Sequence, residues 1–274
     1  MAGAYSSITV LGWPEGMSRD DAARVLVEAL GLDPYTANLR VNKRPPMIVA
    51  RVADAIAPSI VGVLRGKNVG VFTLTDAAVE RLPPPLLAKR LESALGAPEP
   101  MYMVEAWRGE GTGLMMRDVY CVVRARVGRA KVGPPQVEVV PRPISYGKSL
   151  SWDYDVNVTH ERSSQISDVI DLWLGREGAN GPERIRINGD KFNWDVLGKE
   201  RAMSDLQNAD KLALVLASQA PHAAIETGFA DFCDASAASI GSGWSATSAG
   251  GSRLDRHPAF EFYSAWCGVM HWRQ

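Results

Sequence analysis

The stretches SITVLG (7–12), SRDDAARVLVEALG (18–31), DPYTANL (33–39), MIVARV (47–52) and VGVFTL (69–74) decide how the N-terminal quarter is read. Ser7 to Leu11 is a β-branched run that stops at Gly12, and Trp-Pro-Glu-Gly after it is turn chemistry, so a strand comes first. Ser18 predicts an N-cap. Asp20 and Asp21 put negative charge at the positive end of a helix dipole, and Ala22, Val25, Leu26, Ala29 and Leu30 share one face of a helix that Gly31 ends. Asp33-Pro34 is a cap and first-turn pair opening a second helix to about Leu39. A strand follows at Met47–Val52. Asp54 is expected to cap a third helix with Ile56, Ile60, Val63 and Leu64 inward and Gly66 at its end, before a strand at Val69–Leu74. The order is β-α-α-β-α-β.

Working outward, Asp76 predicts another helix, broken at Pro83–Pro85 and resumed through Leu95, then two long strands around the turn at Gly109–Gly113. On the second strand Val119, Cys121, Val123, Ala125 and Val127 alternate with Asp118, Tyr120, Val122, Arg124 and Arg126, the pattern of a half-buried strand. Residues 128–148 are rich in proline and glycine and read as a linker or extended arm. Beyond it, Ser151–Thr159, Ile166–Leu174 and Arg184–Ile187 are predicted strands. Ser204 caps a helix to Gln219, and another helix is expected over Ala223–Phe232. Residues 235–256 have too little apolar surface to offset ordering and read as a loop, and Pro258–Trp272 forms an aromatic helix.

These elements predict an α+β chain of two small mixed domains. The first spans 1–130, the linker or arm 131–150, and the second 151–274, with its flexible Gly/Ser loop at 235–256 and the aromatic helix at the end. Hydrophobic residues make up 46% of the 274 and charged residues 22%, which places the chain in the globular class. Thirty basic residues against 31 acidic ones generate no global field for nucleic acid or an anionic membrane. Three widely separated cysteines, at 121, 233 and 267, argue for a reducing compartment. The first residues lack a basic region ahead of an apolar run, and no uncharged apolar window is long enough to span a bilayer, so a cytoplasmic location is expected.

With its β-α-α-β-α-β order and the basic string Val41-Asn42-Lys43-Arg44 between the second helix and second strand, the segment 7–74 resembles the fold shared by the ClpS adaptor of bacterial Clp proteases and the C-terminal domain of the ribosomal stalk protein. The resemblance covers about a quarter of the chain. In the adaptor family, acidic groups after the first strand and a histidine before the basic pair read the N-terminal residue of a client. Here those positions hold Gly12-Trp13-Pro14-Glu15 and Asn42. What the resemblance implies is a shape used for protein contacts.

Other candidate chemistry is thin. Cys267 and His271 lie four apart on the last helix, without the paired motif a zinc site uses, so no metal and no cofactor is expected. Asp153, Asp155 and Asn157 begin like a calcium loop, but Val158 and Ser164 stand where glycine and glutamate belong. Gly109-Glu-Gly-Thr-Gly113 sits between strands and is a hairpin turn, not a phosphate loop. Arg124, Arg126, Arg129 and Lys131 make a basic stripe that could touch phosphates, though four charges are few. The reading that follows is a non-enzymatic protein-interaction or adaptor protein whose partner meets Asn42, Lys43, Arg44, Tyr263 and Trp266, with nucleic acid and membrane not expected as partners. The alternative is a small-ligand binder or enzyme whose site uses Asp153, Asp155, His160 and Asn188 near predicted strand ends.

Overall fold

Ser18 does cap the first helix: its hydroxyl accepts the Asp21 N–H at 3.1 Å, and Gly31 closes the helix with a left-handed backbone at φ 64°. The computed structural model describes residues 4–94, 99–146, 149–176, 181–240, 244–246 and 252–272, with the side chains of 140–158, 160, 235, 237–240 and 244 outside that description. The chain divides into two compact units. The first comprises Met1–Val127, Ser167–Ser242 and Pro258–Gln274; the second comprises Gly128–Ile166 and Gly243–His257. This division is not the sequential one expected at 130 and 151.

In the first unit, β1 (Tyr5–Gly12), α1 (Arg19–Leu30), α2 (Pro34–Val41), β2 (Met47–Ala53), α3 (Ala57–Gly66) and β3 (Gly70–Thr75) follow the expected order. The strands form an antiparallel sheet in the order β2-β1-β3. Asp33 caps α2 by accepting the Thr36 N–H at 2.9 Å. Asp54 does not cap α3: its carboxylate accepts the Ser6 hydroxyl at 2.6 Å, and α3 begins at Ala57 with Pro58 in its first turn. Ile8, Val10, Met47 and Val49 pack beneath α1, α2 and α3. The other face of this sheet carries Ile48, Phe72 and Leu74 and is covered by aromatic residues from the C-terminal part of the chain.

After α4 (Asp76–Glu80) the expected return to helix does not occur, and β4 (Leu86–Ser93) is a strand. It pairs antiparallel with β5 (Met101–Ala106) and parallel with β9 (Glu183–Asn188). A bulge between Ala88 and Arg90 puts Ala88 and Leu91, three residues apart, on the same buried side, which mimics helical spacing. The turn at Gly109–Gly113 does close a hairpin, from β5 to the short β6 (Thr112–Met115). β7 (Val119–Tyr146) and β8 (Ser149–Leu174) are neighbours in the same sheet as β9. β8 is one strand where two were expected. α5 (Asp205–Gln219) packs Ala209, Leu212 and Leu216 on one face of this sheet, against Ile170, Leu172, Leu174, Ile185 and Ile187.

The segment expected as helix from Ala223 starts instead as β10 (Ala224–Glu226), parallel to Cys121–Val123, and becomes helix only in α6 (Phe229–Ile240). α7 (His257–Trp272) is the aromatic helix. Together α6 and α7 fill the layer between the two sheets, burying Phe229, Phe232, Phe260, Tyr263 and Trp266 against Ile48 and Leu74 on one side and Cys121, Val123, Val169 and Trp173 on the other. The approach is close. A Cβ on Gly268 would stand 2.5 Å from the Trp173 ring, and the Tyr120 hydroxyl donates to the Gly268 carbonyl at 2.9 Å.

The second unit contains the far parts of β7 and β8 with β11 (Trp244–Ala246) and β12 (Ser252–Asp255). Residues 131–146, expected as linker, are strand. Among the described residues β12 pairs with Arg129–Val132 of β7, and β7 and β8 are neighbours in the sheet, so the proline-bearing stretch 134–143 is held as strand despite its composition. The 235–256 region likewise includes the end of α6 and the β11–β12 pair, with 241–243 and 247–251 outside the described residues.

Candidate docking site on the N-terminal module

α2 ends in a cluster of polar and basic residues. Asn42 is its C-cap, and its side-chain oxygen accepts Arg19 Nη1 at 3.2 Å, tying the end of α2 to the start of α1. Lys43 and Arg44 follow, exposed, and neither takes part in an ion pair among the described residues. Thus Asn42 has a structural partner, while the two cations are displayed.

One turn back, Arg40 has a different environment. It lines a cleft of about 360 Å³ whose other walls are Ala29 and Leu30 at the end of α1, Leu32 after it, Val49, Ala50, Arg51 and Val52 of β2, and Ile56 and Ile60 at the N-cap and first turn of α3. Arg51 is engaged, with Nη2 donating to Asp76 at 2.6 Å and its guanidinium 5.4 Å from the Tyr5 ring centroid. Arg40 is not: its Nε is buried with no acceptor, and burial pulls its pKa down. Among the described residues, no acidic side chain lines the cleft. A buried, unsatisfied donor costs on the order of 1–3 kcal/mol, so this one marks a place where an acceptor would be stabilised.

β2 is also an edge strand of its sheet. The Ile48 end of that edge is occupied, since the Ile48 N–H donates to the buried Ser236 hydroxyl of α6 at 2.9 Å. The cleft opens beside the rest, at Val49–Val52. An edge strand beside an apolar cleft and an unpaired guanidinium can hold an extended chain and a negative group together.

The remaining expected site residues do not join this face. Tyr263 is 1% exposed and Trp266 is 0% exposed, so both are core residues and cannot meet a partner as a surface. Large aromatics on one helical face are satisfied here by two sheets of the same chain. The side chains of Asp153, Asp155 and His160 lie outside the described residues. Asn188 ends β9 opposite Val169, and its carbonyl accepts the Lys191 N–H at 3.0 Å.

The basic stripe is largely neutralised. Arg124 pairs with Asp168 at 3.3 Å and with Asp210, Arg126 lies 3.7 Å from Asp168, and Arg129 meets Asp255 at 3.5 Å. Burial raises the Asp168 carboxyl above its ordinary value, with the two arginines opposing. His271 Nε2 sits 2.9 Å from Glu226 Oε1, and Tyr263 donates to the other oxygen at 3.4 Å. Burial pushes the Cys121 and Cys267 thiols well up, so neither is a ready thiolate.

One charged cluster escaped the sequence reading altogether. Asp171 is fully buried and accepts Arg186 through two hydrogen bonds of 2.7 Å and the Ser264 hydroxyl at 2.5 Å. Arg184 bonds Glu261 at 3.0 Å, Arg186 bonds the other Glu261 oxygen, and Trp173 Nε1 donates to Ser264 at 3.1 Å. Each charged side chain here faces an opposite one, which suits a clamp between β8, β9 and α7, although Arg184 Nε itself has no acceptor.

The chain matches no protein-family model, no curated protein and no solved structure.

Proposed function

We propose that this chain is a non-enzymatic protein-interaction protein, an adaptor in the broad sense, that docks a protein partner on its N-terminal module at the corner formed by α2 and β2. The observation that carries this is the buried, unpartnered Arg40 Nε lining an apolar cleft. Lys43 and Arg44, displayed just beyond the end of α2, add positive charge without an ion pair among the described residues that would steer an acidic partner to this corner. The resemblance of 7–74 to the ClpS and stalk-protein fold agrees with this use of the module but does not carry it. For the alternative small-ligand site, the side chains of Asp153, Asp155 and His160 lie outside the described residues.

Native mass spectrometry of the protein captured gently from its own cells tests the proposal. The wild-type chain should carry a stoichiometric protein companion that a Lys43→Glu, Arg44→Glu double variant of unchanged fold loses. A companion retained unchanged by the double variant, or a bound small mass with no companion, rejects it.

A further inference from the structure

The β5–β6 hairpin, at the end of the larger sheet, gathers three methionines on one face. Tyr102, Val104 and Leu114 alternate onto the buried face and pack in the core that α5 covers, which puts Met101, Met103 and Met115 on the opposite one. Met101 stands directly across from Met115, and Met103 across from Gly113. Met103 is 48% exposed and the other two are half-buried, and none of the three belongs to a core cluster of the described residues. Apolar packing therefore does not account for them.

Gly113 lets the three thioethers meet. With no side chain it leaves the space between Met103 and the Met101–Met115 pair open, and Met101 leans into that space: its terminal methyl lies 3.0 Å from where a Gly113 Cβ would stand. Directly opposite residues on such a hairpin have Cβ atoms about 4.5–5.5 Å apart and diagonal ones about 7–8 Å, so side chains with three rotatable bonds can bring all three sulfurs to one ion above Gly113. Arg176 fixes the strand edge there by donating to the Gly113 carbonyl at 2.6 Å and the Thr112 hydroxyl at 3.2 Å. Its charge is balanced by Glu183 at 3.4 Å, and Arg90 on β4 is balanced by Glu92, the residue across from Met103, at 2.8 Å.

The donor set is selective. Thioethers are neutral and soft, and they prefer a soft monovalent ion to the divalent ions that imidazole and carboxylate bind. Among the described residues no group of three or more histidine, cysteine or acidic side chains can hold a metal, so no competing site of that kind is present among them. The cysteines Cys121, Cys233 and Cys267 are buried.

We propose that the outer face of the β5–β6 hairpin binds one Cu(I) ion through the thioether sulfurs of Met101, Met103 and Met115. The site is independent of the docking corner on the N-terminal module.

The test is an anaerobic titration of the full chain, isotope-labelled at its methionine methyl groups, with acetonitrile-stabilised Cu(I), followed by NMR and native mass spectrometry. We expect saturation at one ion per chain, shifts confined to three of the nine methionine methyls, and no response to Zn(II). Met103→Leu, a volume-conserving change at an exposed position, should weaken binding about tenfold, and the triple variant Met101→Leu, Met103→Leu, Met115→Leu should abolish it. Thermal unfolding checks that each variant folds, and the single variant decides the matter if the triple one does not. No uptake of Cu(I), shifts at other methionines, wild-type binding by Met103→Leu, or Cu(I) retained by a folded triple variant would overturn the proposal.

Discussion

At the scale of single residues, the buried charges of the first unit are held in ion pairs. Asp171 is held by Arg186, Arg184 and Ser264 with no exposure to water, so its removal leaves two guanidinium groups in the interior facing only Glu261. Asp171→Ala is expected to cost about 3–5 kcal/mol of folding stability, measured by urea denaturation. The pH dependence follows from Glu261. Burial alone would raise its carboxyl, but Arg186, hydrogen-bonded to it, and Arg184 beside it hold it below the ordinary 4.5. A carboxylate whose folded pKa is depressed contributes stability at pH above its unfolded value, and that contribution is lost as pH falls through the folded value. Wild type should therefore lose stability on acidification below about pH 4.5 more steeply than Glu261→Gln, and parallel curves for the two would refute the pairing. The same scale shows why only part of the proposed corner stands out in the sequence. Lys43 and Arg44 stand between a helix end and two prolines, where a charged pair is conspicuous. Arg40 sits on a helix face, where an arginine ordinarily reads as solvated; only the tertiary fold withdraws its acceptors.

At the scale of elements, caps and stripes were legible because they are local. Ser18, Gly31, Asp33 and Ser204 act in the structure as their positions predict. β4 was misread because its bulge turns a strand's period of two into a spacing of three, and β10 because Ala224–Glu226 becomes a strand only through Cys121–Val123, about a hundred residues earlier. The prolines and glycines of β7 pointed to a linker because the neighbouring β8 strand, which completes the sheet there, is not written in the local sequence. The tightest joint between elements is Gly268 on α7 against Trp173 on β8. Gly268→Ala should lower stability by about 1–3 kcal/mol in a denaturant titration, because neither the indole nor the helix backbone can yield cheaply. A neutral result would mean that α7 and β8 are farther apart than described.

At the scale of the whole first unit, the N-terminal module is not self-sufficient. Its three-stranded sheet buries one face under α1–α3 and the other under Phe232, Trp266 and their neighbours from more than 150 residues later in the chain. A fragment ending at Thr75 exposes Ile48, Phe72 and Leu74. It should bind a hydrophobic dye and lack the cooperative unfolding of the full chain. A cooperatively folded, dye-free fragment would restore the sequential domain boundaries. This interleaving also accounts for Tyr263 and Trp266: the surface they were expected to offer a partner is occupied by the sheet of the N-terminal module itself. On the proposed reading, a partner would meet the outer corner of that module, with the helices behind it serving as support.

The most direct test of that assignment is photo-crosslinking in the protein's own cells from a reactive side chain placed at Arg44, with the exposed Met203 as the control position. The account predicts one discrete protein adduct from position 44, none from position 203, and loss of the adduct when Lys43→Glu is added. A position-44 sample without a discrete adduct, or the same adduct from both positions, would contradict it.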